Sequence, residues 1–479
     1  MEQAGKKPLH LLMFPWLAHG HIPPFLELSK RLANDGVKIS FLSTPSNITK
    51  IRPSLISSSS SGMMGQIDLL QLPLPFVDGL PPQVENTADV PNEMEGLLKK
   101  ALDSLEKPFE NLLERISPDY VIYDFSQYWA ATVAARLGIP SVFFHVMNAS
   151  VGGYVLSPSR SKEEYTVQDL ITPPPGYPSS AIALHPFEAR HSLGAFNSKK
   201  GEIGFMDRCL KSIQGCSLIA IKSCYEIEGK FIRYLEETWG KSVVPVGLLG
   251  PRLPERGCAE LSEEESKCLG WLDKQTPSSV IYVAFGSEVF LNKQQIRALA
   301  LGLEATGLPF LWVLRFPRYT DDNNNDVSEE TARAWAMLPE GFQSRTRERG
   351  FIHMGWAPQV HILSHPSVGV FVSHSGWSSV LEAVRFGVRN VLLPMVNDQP
   401  LDARLFANEL KVAVEVEREA DGSFTEKHIR KAVVNVMEEK TGSEIMSNIN
   451  EMKRSVYDDE GFEEKYVRGF IECLASRIS

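Results

Sequence analysis

The sequence predicts an α/β protein of two facing Rossmann-like domains with a cleft between them. Short, nearly continuous apolar runs, such as VGVFV at 368–372, alternate with amphipathic helical stretches. Parallel strands buried on both faces read this way. The alternation occurs twice, in two halves of similar layout. Between them, residues 250–265 carry Gly, Pro and charge without periodicity, as a linker does. At 479 residues the chain is long enough for two cores.

In the first half, residues 10–16 read as a strand. A helix over 25–34 closes at Gly36, and 37–43 and 67–72 are further strands. A Pro-rich loop follows to Asn92. Residues 97–115 read as one helix, kinked at Pro108. Then come a strand at 120–123, a helix at 128–137 and a strand at 141–144. The segment 157–198, with three consecutive prolines at 173–175, reads as loop-rich and the least regular part of this half, and 218–221 and 243–246 as closing strands. In the second half, 279–285 and 310–314 are strands around a helix at 293–306. Residues 391–393 follow 368–372 as the next buried strand, with a helix at 377–386 between them, closed by Gly387. The expected division is a first domain over 1–249, a linker over 250–265, a second domain over 266–457 and a last helix over 458–479 packing back across the linker. Within 320–326, TDDNNND lacks the Gly and Glu that a calcium loop needs and reads as solvated loop.

Composition excludes several function classes. Hydrophobic residues make up 43% and charged residues 23%, the balance of a globular protein. A net charge of −10 argues against nucleic-acid or anionic-membrane partners. No apolar run approaches the roughly 18 residues of a membrane span, and His10 and Pro15 break the apolar start, which reads as a strand and not a signal peptide. The six cysteines form no C-x-x-C pair, so buried reduced thiols in a cytoplasmic protein are expected; a monomer is expected as well. There is no G-x-G-x-x-G, Walker loop, Asp-x-Asp pair or His/Cys cluster, and no metal or cofactor is expected.

In doubly wound sheets, ligands sit beyond the carboxyl ends of strands. The polar residues there are the candidates. Gly20 would let a ligand approach the backbone. His19 and His21 follow the first strand, and either is a possible general base, though each position also suits a plain surface histidine. Asp124 follows the strand at 120–123; it could orient such a base or merely cap the next helix. Asp119 precedes that strand, on the wrong side of the sheet. Gly286 and Ser287 end another strand, where a hydroxyl and amides suit a phosphate. Trp356 offers a flat face for a base, and Ala357 and Gln359 could pair with its edge or ribose. His374, Gly376, Ser378 and Ser379 converge on a helix N-terminus, a ready anion site. Glu382, one turn on, suits ribose hydroxyls, and Asp398 and Gln399 suit sugar hydroxyls. Taken singly, Trp356 could be core, Ser379 a cap and Glu382 a solvated face.

The stretch from Trp356 to Gln399, 44 residues long, runs from Trp-Ala-Pro-Gln through His-x-Gly-Trp to Asp-Gln. It resembles the sugar-nucleotide signature of plant UDP-dependent glycosyltransferases, and the likeness extends over essentially the whole chain. The resemblance implies the glycosyltransferase B fold and inverting sugar transfer from a UDP-sugar to an acceptor hydroxyl. The family's Gly-His-x-x-Pro loop maps onto Gly20, His21 and Pro24, which selects His21 over His19 as base, with Asp124 as its partner. It implies Ser287, Trp356, Ala357, Gln359, His374, Gly376, Trp377, Ser378, Ser379, Glu382, Asp398 and Gln399 as donor contacts, the UDP-sugar being co-substrate and not cofactor. Ser378 departs from the Asn usual there; its hydroxyl donates a single hydrogen bond and has a shorter reach toward the diphosphate. Gln399 points to UDP-glucose. Position alone suggests Tyr128, His145, Met147 and Phe187 as acceptor-facing. The openings FPWLAHGHIPPFLELSK and YVAFGSE are most similar to the branch-forming members, which add sugar to the sugar of a flavonoid or terpenoid glycoside. Glycosylation of an aglycone is the alternative. Outside that class stand a UDP-sugar epimerase and a non-catalytic sugar-nucleotide binder.

Overall fold

The computed structural model describes residues 8–56, 66–91, 94–162, 164–197, 203–250, 262–286, 289–315, 335–459 and 461–477. Most of the expected linker, the insert at 320–326 and Ser287 lie outside these residues. Among the described residues the strands form two wholly parallel sheets. The first contains β1 (His10–Phe14), β2 (Lys38–Ser43), β3 (Ile67–Gln71), β4 (Tyr120–Tyr123), β5 (Ser141–His145), β6 (Leu218–Ile221) and β7 (Val243–Pro245). Their order is β3-β2-β1-β4-β5-β6-β7. The second contains β8 (Val280–Ala284), β9 (Phe310–Leu314), β10 (Gly350–Met354), β11 (Val368–Ser373), β12 (Arg389–Leu392) and β13 (Ala413–Glu415). Their order is β10-β9-β8-β11-β12-β13.

Both sheets reverse their order beside their first strand. The reversal lies between β1 and β4 in one sheet and between β8 and β11 in the other. Helices pack on both faces, so β1, β4, β5, β8, β9 and β11 are buried along their whole length. This is why their sequences are continuously apolar and not alternating. The last helix, Phe462–Ala475, sets Val467, Phe470 and Leu474 into the first sheet's core. The Tyr120 hydroxyl on β4 donates to the Leu474 carbonyl at 3.0 Å.

Three expectations need correction. Residues 97–115 are two helices, Glu95–Asp103 and Glu106–Ile116. Pro108 does not kink one helix; it sits in the first turn of the second, where its missing N–H costs nothing. The first helix starts at Ile22, with Pro23 and Pro24 in its first turn, so His21 is its N-cap. The loop-rich segment 157–198 also contains a helix that the sequence did not show. It holds the helix Pro186–Phe196, opened by a reciprocal His185–Glu188 capping box. The short edge strands β10 and β13 carry too little apolar signal to stand out. Of the described cysteines, four are buried and Cys473 is partly so, all as free thiols. No helix among the described residues is long and apolar enough to cross a membrane.

The second domain is tied together by the contact of Lys293–Thr306 with Glu426–Met437. A Cβ built on Gly302 would lie 2.6 Å from Ile429 Cβ and 3.0 Å from the Glu426 carbonyl. Neither neighbour is a flexible side-chain tip. Gly302→Val should therefore destabilise by about 1–3 kcal/mol, read as a lower urea midpoint; an unchanged midpoint would show that the helices part freely.

Candidate functional site

The side chains expected to act come together at the two points of strand reversal. On the first sheet, register pairs Phe14 with Tyr123 across β1 and β4. That pairing brings the loop after β1 against the loop after β4. His21 Nδ1 lies 2.7 Å from Asp124 Oδ2, although the residues are 103 apart in sequence. Asp124 Oδ2 also accepts from the Trp16 amide at 3.1 Å, and Oδ1 accepts from the Phe125 amide at 2.8 Å. The carboxylate thus caps the turn Phe125–Gln127 with one oxygen and holds His21 with the other, satisfying both readings of Asp124 at once. Its side chain is 2% exposed against 20% for His21. His21 makes no side-chain cap bond to its own helix, so the ring is available to Asp124. Asp119 accepts from the His10 amide at the opposite end of the sheet.

On the second sheet, Ala284 pairs with Ser373 across β8 and β11. The turn after β11 carries His374 between Gly286 and Gly376. Cβ atoms built on those glycines would lie 2.7 Å from His374 Cε1 and 2.6 Å from Nε2. Ser375 is held at φ +73°, an uncommon conformation for a side chain, and is fully buried. His374 Nδ1, Ser375 Oγ and Trp377 Nε1 are buried without a hydrogen-bond partner among the described residues. Burial lowers the His374 pKa to about 4, so at neutral pH the ring is an uncharged donor. The helix Trp377–Arg385 starts here from Gly376, which supplies no side-chain cap. Orphaned side-chain donors gathered at a helix N-terminus make an anion site.

Around this turn, Gln359 Nε2 donates to Glu382 at 2.8 Å and to Ser379 Oγ at 3.3 Å. Burial raises the Glu382 pKa. Trp356 is 60% exposed, with Arg315 5.8 Å above its ring and His19 set edge-on at 5.2 Å; Ala357 beside it is buried. Gln399 is buried, and its Oε1 accepts from the Met395 and Val396 amides, both at 3.0 Å. That pins the side chain with its NH₂ as the remaining donor. Burial raises the Asp398 pKa, partly opposed by charge on His21 across the cleft. Among the described residues no cluster of His, Cys, Asp or Glu could hold a metal ion.

Two of the acceptor-facing expectations do not fit. Phe187 is 9% exposed and packs under Gly422, whose built Cβ would lie 2.4 Å from its ring, with Arg418 above it. It joins the two domains, because its helix abuts the second. His145 is 2% exposed and wedged between Gly152 and Trp239; burial lowers its pKa to about 4. Tyr128 is partly buried beneath Arg208 and Lys211, and Met147 is partly buried.

Contacts between the domains were not legible in sequence. Arg404 bridges Glu188 of the first domain, at 2.8 Å, and Glu415 of the second, at 3.1 Å. Asn148 donates to Asp402, whose pKa burial raises well above normal. Lys222 Nζ donates to Ser378 Oγ at 2.5 Å, from a residue 156 positions away. Lys222 had a usable signal, since it directly follows β6 at a carboxyl end. Asn148 and Asp402 had none.

The described geometry has known relatives. The family described as UDP-glucoronosyl and UDP-glucosyl transferase matches residues 262–456, and a glycosyltransferase N-terminal domain matches 8–175. An anthocyanidin-3-O-glucoside rhamnosyltransferase of Petunia hybrida is 38% identical, with 98% of this chain and 96% of that protein covered. A cyanidin 3-O-galactoside 2''-O-xylosyltransferase of Actinidia chinensis var. chinensis is 39% identical, with 98% and 99% covered. A transferase from Siraitia grosvenorii, solved in complex with UDP, is 25% identical with a TM-score of 0.77, covering 98% of this chain and 100% of that one.

Gly286 sits at φ +68° with the His374 ring against it. Gly286→Ala should lower stability by about 1–3 kcal/mol through strain and displacement of that ring. Chemical denaturation measures it, and a wild-type midpoint would mean that the ring is not wedged.

Proposed function

The chain belongs to the plant UDP-glycosyltransferases, and on that premise we propose that His21 and Asp124 drive inverting transfer of a sugar, glucose first among the donors, to a hydroxyl on a small-molecule glycoside. One observation carries this reading: the His21–Asp124 pair at 2.7 Å, close enough to Asp398 of the second domain for its charge to be felt there. Asp124 accepts from Nδ1 and so selects the tautomer with a lone pair on Nε2. That nitrogen takes the proton of the acceptor hydroxyl as its oxygen attacks the anomeric carbon. The bond from that carbon to the diphosphate breaks, and UDP leaves with the electron pair. The imidazolium that forms is stabilised by the Asp124 carboxylate.

Charge developing on UDP meets the N-terminus of Trp377–Arg385 and neutral His374. Pre-oriented donors of this kind stabilise such charge without reorganising. Trp356 stacks the uracil, the Gln359–Glu382 pair binds ribose, and Gln399 and Asp398 hold the sugar hydroxyls. In this reading residues 1–249 hold the acceptor and 266–457 the donor, with 458–479 packing back on the acceptor half. The acceptor is a flavonoid glycoside or a terpenoid glycoside of similar shape, its own sugar receiving the new one. Support for this comes from relatives whose names specify transfer onto anthocyanidin glycosides.

His21→Ala should cut turnover by about a hundredfold or more while UDP affinity stays within twofold, the estimate for a residue that acts only on the acceptor. Turnover near that of the unmodified enzyme would remove the base assignment. Trp356→Ala should weaken UDP binding by about 1–3 kcal/mol, measured by calorimetry; unchanged affinity would place the uracil elsewhere. A panel of UDP-glucose, UDP-rhamnose and UDP-xylose against aglycones and their glycosides, read by product mass, tests donor and acceptor. Product from aglycones alone would overturn the sugar-on-sugar reading.

A further inference from the structure

We infer that Lys222, reaching across from the first domain, is a ligand of the donor diphosphate and supplies the contact that Ser378 is too short to make. This rests on the donor reading above and adds a residue to it. Lys222 directly follows β6, and its amide donates to the His145 carbonyl at 3.1 Å, which fixes the backbone. The residue is 4% exposed. Its Nζ donates to Ser378 Oγ at 2.5 Å. Ser378 is the second residue of the helix Trp377–Arg385 and is itself exposed to the cleft. The ammonium therefore stands beside the turn that holds the orphaned donors of His374 and Ser375.

A buried ammonium is costly unless an anion accompanies it. The carboxylates whose fields reach Lys222 are Glu382, Glu463, Asp402 and Glu27. Among the described residues none of them lies within ion-pair distance. Glu382 is bonded to Gln359, Glu463 to Arg31 and Asp402 to Asn148. Burial consequently pulls the Lys222 pKa down to about 8. The missing counter-ion is an anion at the helix N-terminus, which is where a diphosphate docks. A serine hydroxyl at 378 can accept from Lys222 while donating to a phosphate oxygen, and the ammonium's other protons reach the same oxygens. A longer side chain at 378 would fill that space. Because Lys222 belongs to the acceptor half, diphosphate binding would also hold the two domains together.

Calorimetric titration with UDP, and with uridine as a probe lacking phosphate, separates this role from a structural one. Lys222→Met should weaken UDP binding by about ten- to a hundredfold and leave uridine binding unchanged. Lys222→Arg, which keeps the charge, should lie much closer to the unmodified protein. Equal UDP affinity in Lys222→Met, or parallel loss of UDP and uridine, would overturn the inference. Failure of the unmodified protein to bind UDP would instead remove the donor reading beneath it.

Discussion

Everything in this molecule depends on where two parallel sheets reverse their strand order. At such a point neighbouring connections leave in opposite directions, and the carboxyl ends of two adjacent strands are left uncovered. In the first sheet these are β1 and β4, and they deliver His21 and Asp124. In the second they are β8 and β11, and they deliver Gly286 and His374. Backbone hydrogen bonding sets the register to within one residue, so side chains remote in sequence meet without a dedicated scaffold. The same geometry forces the division of labour. Each sheet offers one such opening, and a bimolecular transfer needs two, one for each substrate.

The two openings differ in electrostatic character. The first is built on a buried carboxylate that spends its oxygens on two amides and a histidine. The second gathers side-chain donors without acceptors, from His374, Ser375 and Trp377, at the start of a helix. The first opening thus favours positive charge on the histidine, and the second favours negative charge near the helix start. Buried polar contacts between the halves, Arg404 with Glu188 and Asn148 with Asp402, keep these opposite environments in facing positions. Removing one partner of such a pair would strand a buried charge, so the domain arrangement is specified as well as stabilised.

Much of this was legible before any coordinates. Central strands were readable because burial on both faces demands continuous apolar runs. Helix ends were readable where Gly36 or Gly387 follows the last apolar turn. The donor stretch was readable because its residues lie within 44 positions of one another, with spacing imposed by a single strand–turn–helix–strand unit. The misreadings have physical causes. A proline in a helical stretch marks either a kink or a first turn, and only the break at Ser104–Leu105 decides which. The helix Pro186–Phe196 was hidden by the prolines around it, since its own apolar face is weak. Phe187 and His145 sit in segments that flank the cleft, but segment position does not fix side-chain direction; both turn inward to pack.

The sequence by itself determined the fold class, through local periodicity and strand ends, and it carries a contiguous 44-residue motif. The choice of His21 with Asp124 rested on the family resemblance, since strand ends alone left His19 and a capping role for Asp124 open. The tertiary structure alone decided how the halves meet. It brought Lys222 to Ser378 across 156 residues, placed Arg404 between two glutamates and packed Phe187 against Gly422 and Arg418. Contacts of that kind depend on the relative placement of two independently folded sheets. No local pattern encodes that placement, because it is set by the sum of many packed and polar contacts at the interface rather than by any one segment.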